Sequence, residues 1–296
     1  MNSRNKGIFC IILAGLFFAT MGLFVRLAGN VPSLQKCFFR NMVALIIVLL
    51  TMAKNREKIR IKRGDGWFLF LRALFGTIGL IGNFYALDHL VLSDANMLNK
   101  LSPFFVIIFS FIILKEKITM QQGFAVMIAF CGALFIIKPT GSMSHLPAIA
   151  GAIGGIGAGT AYTMVRLLGK RGVNGNIVIL AFSSFSCLVC IPSMILNFQP
   201  MTAIQVVYLF CAGIAAAGGQ FSITRAYFYA PAKEISVYDY SQIIFAALLG
   251  FFVLGQIPDI WSVLGYVVIC SMSVWMFLYN KRRDQIQREA VKASGK

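Results

Sequence analysis

Ten apolar stretches, each about twenty residues long, follow one another along the 296-residue chain. A helix needs about that length to cross a bilayer core of about 30 Å. They lie near 7–28, 32–53, 66–88, 94–114, 119–138, 146–168, 175–197, 203–226, 234–255 and 259–280. Connections are short apart from the basic run 54–65, and a polar tail, 281–296, follows the last stretch. Inside a bilayer each span must satisfy its own backbone polar groups, which makes these stretches helices. Composition agrees, with 58% of residues hydrophobic and 12% charged, too little polar surface to coat a water-soluble globule. The predicted fold class is therefore an all-α integral membrane protein with ten transmembrane helices. The first stretch has a basic lead-in, Arg4 and Lys6, but its apolar core exceeds the roughly 7–15 residues of a signal peptide. It is read as the first helix.

The formal net charge is +17, from 27 Lys+Arg against 10 Asp+Glu. With ten spans both ends lie on one side, and the loops of that side hold 19 of the cations. The opposite loops hold one, Lys138, and seven lie inside spans. The positive-inside rule then predicts cytoplasmic termini in a plasma or inner membrane. The excess charge reads as a rim facing anionic lipid headgroups. No nucleic-acid partner is expected, because no Arg/aromatic platform lies outside the bilayer. All seven cysteines fall within spans, and the Cys187/Cys190 pair has no nearby His or acid, which reads as packing rather than a metal site. His89 and His145 fall on separate outer-face loops and read as solvated. No metal, cofactor or nucleotide-binding loop is expected, so a gradient must drive any transport.

Shifting the chain against itself by 140 residues aligns Gly15/Gly155, Thr20/Thr160, Val25/Val165, Arg26/Arg166, Leu27/Leu167 and Gly29/Gly169. The same shift pairs Gly79/Gly219, Ala86/Ala226, Phe105/Phe245, Phe111/Phe251 and Leu114/Leu254, and sets Asp94 opposite Glu234. Five spans per copy is an odd number, so the second copy enters the membrane from the other face. The expected organisation is two inverted five-helix repeats, 7–140 and 141–280, followed by a basic cytoplasmic tail, 281–296. Inverted repeats of this kind place a substrate site near the midplane between the halves. Gly151, Gly155 and Gly159, and Gly76, Gly79 and Gly82, mark small faces for close helix packing. Pro103 and Pro192 mark places where a span can kink.

Charges within spans are costly, at least about 2.5–3.5 kcal/mol at the bilayer centre, so each is a functional candidate. Counting about 1.5 Å per residue from each span's midpoint leaves Arg26, Lys36, Arg166 and Arg225 far enough out to snorkel. Arg40 and Lys100 come within about 4–6 Å of the midplane on the outer side, and Arg72 about 7 Å on the inner side. Asp239, the acid well inside a span, falls about 9 Å inward. Asn99 and Asp239 are equivalent under the 140-residue shift, but these depths set Lys100 and Asp239 roughly 15 Å apart along the normal. The expected ion pair is therefore Arg72 with Asp239, serving structure or coupling. Lys100 and Arg40, without an evident acid, are the expected anion-binding residues. Tyr85, Phe104, Phe105, Tyr162, Tyr238 and Tyr240 are aromatics at nearby depths for an apolar or cationic moiety.

The chain resembles the EamA-type drug/metabolite transporter family across nearly all of 7–280. The likeness is carried by Phe39-Arg40, the stretch Asn83 to Leu87, the run Leu101 to Glu116 and the run Ala230 to Gly250. The resemblance implies ten helices in two inverted repeats and a central cavity lined by helices one to four and six to nine. It also implies transport of small metabolites, commonly amino acids and their relatives. The family's acid after helix nine, matching Lys115-Glu116 after helix four, is replaced here by Gly255-Gln256. The stretch Tyr240 to Asp259 is similar to the branch containing S-adenosylmethionine uptake carriers.

Together these readings predict a secondary carrier for a small metabolite with a carboxylate, an amino acid or a relative, working by alternating access. Its partners are the small-molecule substrate and the lipid bilayer. The candidate substrate-binding residues are Lys100, Arg40, Asn83, Tyr85, Tyr162, Tyr238, Tyr240 and Gln242. An uptake carrier for a cationic metabolite of the S-adenosylmethionine type is the alternative. A membrane-embedded enzyme is the alternative from another class, disfavoured because the acids near the membrane faces are scattered and the two histidines lie apart.

Overall fold

A computed structural model describes residues 3–89, 98–137, 145–255 and 260–294. The helices follow the apolar stretches: α1 Ser3–Leu27, α2 Ser33–Lys54, α3 Asp65–His89, α4 Ser102–Leu114, α5 Met120–Ile137, α6 His145–Lys170, α7 Gly175–Leu196 and α8 Ala203–Tyr229. Then come the short α9 Ala232–Ile235, a 3-10 helix over Ser236–Tyr240, α10 Ser241–Leu254 and α11 Ile260–Ser294. Among the described residues eight helical stretches are long and apolar enough to cross a membrane, and two shorter apolar ones, Ser102–Leu114 and Met120–Phe135, accompany them. The chain is a multi-pass membrane protein. The start of the expected fourth span, Lys138 and the Gln256–Asp259 stretch lie outside the described residues. The last helix, α11, continues beyond the tenth apolar stretch to Ser294.

Local chemistry sets the helix ends. Thr202 and Gln205 form a reciprocal capping box at the start of α8, satisfying backbone N–H groups that the first helical turn leaves open. Asn174 caps α7 by accepting from the Asn176 amide. The fourth span is broken where the sequence has Leu101-Ser102-Pro103. Leu98 and Asn99 are helical, Lys100 and Leu101 turn, and α4 starts at Ser102 with Pro103 in its first turn. Proline has no N–H to give and its ring clashes with the carbonyl four residues earlier, so it sits at a helix start. The ninth span is broken too, by the 3-10 stretch Ser236–Tyr240. Both broken spans end alike: Lys115 and Gly255, 140 residues apart, close α4 and α10 in the left-handed region at φ 53° and 64°. Their N–H groups donate to Ser110 and Gly250, again 140 residues apart.

Burial is inside-out relative to a soluble protein. Leu196, Phe252 and Ile260 are exposed on the outer faces, while Arg72, Gln122, Thr163, Ser183, Ser186 and Asn280 are buried. Apolar exteriors of this kind suit lipid, and the polar interior bonds to itself across helices. Thr77 and Ser186 share a hydroxyl bond of 2.6 Å between α3 and α7, and Gln122 Nε2 donates to Asn280 Oδ1 at 3.3 Å between α5 and α11.

The main helix pairs are α3 with α6, α1 with α8, α5 with α11, and α2 with α7 and α8. Glycine explains the first. A Cβ on Gly79 would lie 2.8 Å from the Ala158 nitrogen, and one on Gly157 would lie 2.8 Å from the Phe75 carbonyl oxygen, so α3 and α6 touch backbone to backbone. On α6, Ala150, Gly154, Gly157 and Ala158 meet α3, and Gly151 touches the Ala86 side chain. The Gly151, Gly155 and Gly159 stripe packs closely as expected, with Gly151 against Leu98 and Ala86, Gly155 against Leu98 and Leu101, and Gly159 against Phe105 and Val106. Gly15 plays the matching part on α1, where a Cβ would come 2.8 Å from Ser241 Oγ at the start of α10.

Candidate functional site: a buried cation cluster at two helix breaks

The two breaks bring Lys100 and Asp239 together. Lys100 Nζ lies 3.2 Å from Asp239 Oδ2, 3.3 Å from the Asp239 carbonyl oxygen and 2.8 Å from Gln242 Oε1. The Tyr240 hydroxyl donates to the Lys100 carbonyl oxygen at 3.3 Å. Lys100 and Asp239 are 5% and 8% exposed, so the ammonium is buried with three acceptors and one full counter-charge. The expected Arg72–Asp239 pair is overturned. So is the expectation that Lys100 is an anion-binding group without a partner. The physical reason is the helix geometry: depth counted at a uniform rise assumes continuous spans, and both spans change course at these residues.

Arg72 instead donates through Nη2 to Gln220 Oε1 at 3.1 Å, while its guanidinium lies over the Phe182 ring, 4.4 Å from the centroid. Gly76 makes the room: a Cβ there would strike the Arg72 guanidinium and come within 3.0 Å of Phe182. Arg40 donates through Nε to Met21 Sδ at 3.0 Å, a weak acceptor. Both arginines are deeply buried, 4% and 2% exposed, and each keeps an unpartnered nitrogen, Nη1 of Arg40 and Nε of Arg72. The two guanidiniums lie within electrostatic range of each other and of the neutral Tyr162 hydroxyl. Tyr162 stacks on Tyr227 with centroids 5.3 Å apart and feels Asp239 as well. One cluster thus joins α2, α3, α6 and α8 to the 3-10 stretch.

Other expected residues divide. Gln242 and Tyr240 join the cluster through Lys100. Tyr85 sits at the far end of α3, its ring 4.1 Å from that of His89. Tyr238 is buried with an unpartnered hydroxyl, in range of Arg4 and Glu234 rather than of Arg40 and Arg72. Asn83 lies on the α3–α6 seam, its backbone nitrogen 2.9 Å from where a Cβ on Gly154 would stand. Phe104 meets Phe130 edge-on, and Phe105 stacks with Phe109. Gln220, Phe182 and Tyr227 complete the cluster without being marked by the sequence reading. An amide such as Gln220 in an apolar span is a legible signal, but sorting spans by charge passes over it.

A second polar group closes one face. Glu116 accepts from Arg166 at 3.2 Å and from Lys170 at 2.6 Å, and Arg166 Nη1 donates to the Tyr227 and Phe228 carbonyl oxygens at 3.1 Å. Arg166 therefore does not snorkel as expected; it is bonded inside the protein. Arg26, its counterpart 140 residues earlier, is exposed. On the same face Arg171 pairs with Asp65, and Glu57 accepts from Asn55, Asn174 and Asn176 at 2.7–3.1 Å. Those bonds, Asn55 first, hold the Glu57 carboxyl below the usual carboxylate range.

Among known proteins, residues 5–138 match the EamA-like transporter family. The chain is 30% identical to the pseudopaline exporter CntI of Pseudomonas aeruginosa over 90% of this chain and 93% of that one. It is 25% identical to an uncharacterized transporter of Helicobacter pylori, over 91% and 94% of the two chains. Mouse solute carrier family 35 member G1 is 25% identical over 89% of this chain and 76% of its own. A protein of known crystal structure, 15% identical, superposes with a TM-score of 0.80 over 93% of this chain and 99% of that one. That likeness speaks for the fold alone.

Proposed function

The chain belongs to the EamA-like transporter family, and from that premise we propose that it is a secondary carrier for a small metabolite bearing a carboxylate, an amino acid or a relative of one. It is a membrane transporter with a small-molecule substrate rather than an enzyme. The observation that carries the carboxylate is the pair of buried arginines: Arg40 and Arg72 lie inside spans with no carboxylate at ion-pair distance among the described residues. A buried charge without a counter-ion is costly, and a cargo anion supplies one. Tyr162, with Gln242 and Tyr240 held by the Lys100–Asp239 pair, frames the rest of the site.

The carrier works by alternating access between two inverted repeats, 7–140 and 141–280, with both termini and the basic tail in the cytoplasm. Three features support the repeat. Lys115 and Gly255 close equivalent helices in the same left-handed conformation. The fourth and ninth spans are both broken. Helix pairs exchange under a five-span shift: α3 with α6 answers α8 with α1, and α4 with α6 answers α10 with α1. Gradient-driven movement suits such an assembly.

A cationic cargo of the S-adenosylmethionine type would need a free acid at the cluster. Asp239, the acid there among the described residues, already holds Lys100. Purified protein in proteoliposomes, given labelled amino acids with an imposed proton or sodium gradient, tests the reading. Carboxylate-bearing solutes are expected to move, and Arg72→Gln to stop them while the protein still assembles. Movement of a cationic solute alone would defeat the proposal.

A further inference from the structure

The cluster has an uneven charge balance. Asp239 neutralises Lys100, which leaves the two guanidiniums of Arg40 and Arg72 without a carboxylate among the described residues. An arginine stays charged at neutral pH, so both positive charges persist in the buried interior and repel each other. We propose that Arg40 and Arg72 form a two-point anion site whose cargo is a dicarboxylate, one molecule carrying two separated carboxylates. This rests on the carboxylate-carrier reading above and narrows it.

Two features of the geometry favour two carboxylates over one compact dianion such as a phosphoryl group. First, the two guanidiniums are held by different neighbours. Arg40 is turned toward α1 by its Nε bond to Met21 Sδ, while Arg72 is fixed between α7 and α8 by Phe182 and Gln220. They are two separate forks rather than one clamp. Second, the unpartnered donors differ: a terminal nitrogen, Nη1, on Arg40 and the inner Nε on Arg72. Each fork has donor capacity for its own carboxylate. Gln220 spends its carbonyl on Arg72 and keeps an amide donor.

Thermal unfolding of the purified full-length protein in detergent, titrated with three small probes, tests the site. The probes are glutarate, its monoamide glutaramate and propyl phosphate. Glutarate is expected to stabilise the wild type at concentrations about 10–100-fold below those glutaramate needs, the range for one additional charge-assisted hydrogen bond. Arg40→Gln and Arg72→Gln are each expected to erase that gap while leaving weak stabilisation by either carboxylate. Equal potency of glutarate and glutaramate would overturn the two-point site and leave the carboxylate reading standing. A stronger effect of propyl phosphate would assign the pair to a phosphoryl group instead. No stabilisation by either carboxylate would remove the carboxylate reading and this site with it. The wild-type series decides by itself if the variants do not fold.

Discussion

Lys100 Nζ and Asp239 Oδ2 stand 3.2 Å apart, each residue at a place where its span departs from continuous α-helix. The turn at Lys100–Leu101 and the 3-10 stretch Ser236–Tyr240 free backbone groups that a regular helix would bond internally. Lys100 Nζ takes up one of them, the Asp239 carbonyl, and the Tyr240 hydroxyl takes up the Lys100 carbonyl. Breaks inside a membrane survive when buried partners re-satisfy the backbone. The ion pair is therefore also the joint between the two broken spans.

Removing one partner leaves the other as a buried lone charge, a loss of about 3–5 kcal/mol. Asp239→Asn and Lys100→Met are each expected to destabilise the protein on that scale. The double variant should lose much less than the two losses added. A double-mutant cycle on unfolding in detergent measures the coupling, and simple additivity would show that the pair contributes nothing.

The α3–α6 seam has no room for a methyl group. Gly157→Ala would set a Cβ 2.8 Å from the Phe75 carbonyl oxygen and 2.9 Å from the Gly79 nitrogen, backbone atoms that cannot swing aside. A loss of about 1–3 kcal/mol is expected from such overpacking. Gly22 is the control, because nothing lies within 4 Å of the place a methyl group would take there. Gly22→Ala should be neutral or slightly stabilising, because alanine is the better helix former. Thermal midpoints in one detergent compare the two, and equal midpoints would contradict the seam.

Gly76 separates fold from site. An added Cβ there strikes the movable end of Arg72 and the Phe182 ring. Gly76→Ala is expected to leave expression and monodispersity near wild type while displacing the guanidinium and cutting transport. Gly76→Ala with transport intact would show that the Arg72 position over Phe182 is not needed.

Glu57 ties the basic run between α2 and α3 to the α6–α7 turn. Its carboxyl lies below its ordinary value of 4.5 because Asn55, then Asn176 and Asn174, donate to the charged form. A lowered folded-state value adds stability that is fully present above the ordinary value and fades as pH falls through the lowered one. Hydrogen exchange over residues 54–64 is expected to stay slow at neutral pH and to quicken in strong acid beyond its intrinsic trend. Glu57→Gln should exchange faster at neutral pH and lose that extra acid response.

The order of apolar stretches carried the helices, because a bilayer imposes a length and a polarity that single residues record directly. Arg40 and Arg72 were legible as buried charges for the same reason: their cost depends on depth, which a span's midpoint approximates. The partners were not legible. Lys100 meets Asp239 rather than standing free because Pro103 and the 3-10 stretch interrupt the uniform rise on which depth is counted, and a few ångströms decide which charge reaches which. The small faces behaved likewise. Repetition every four residues marked Gly151, Gly155 and Gly159 as a close-packed face, but not that Leu98, Leu101 and Phe105 fill it while Gly154 and Gly157 lie against α3. A helix rich in glycine offers several narrow faces, and only the arrangement of its neighbours selects which helix lies on each.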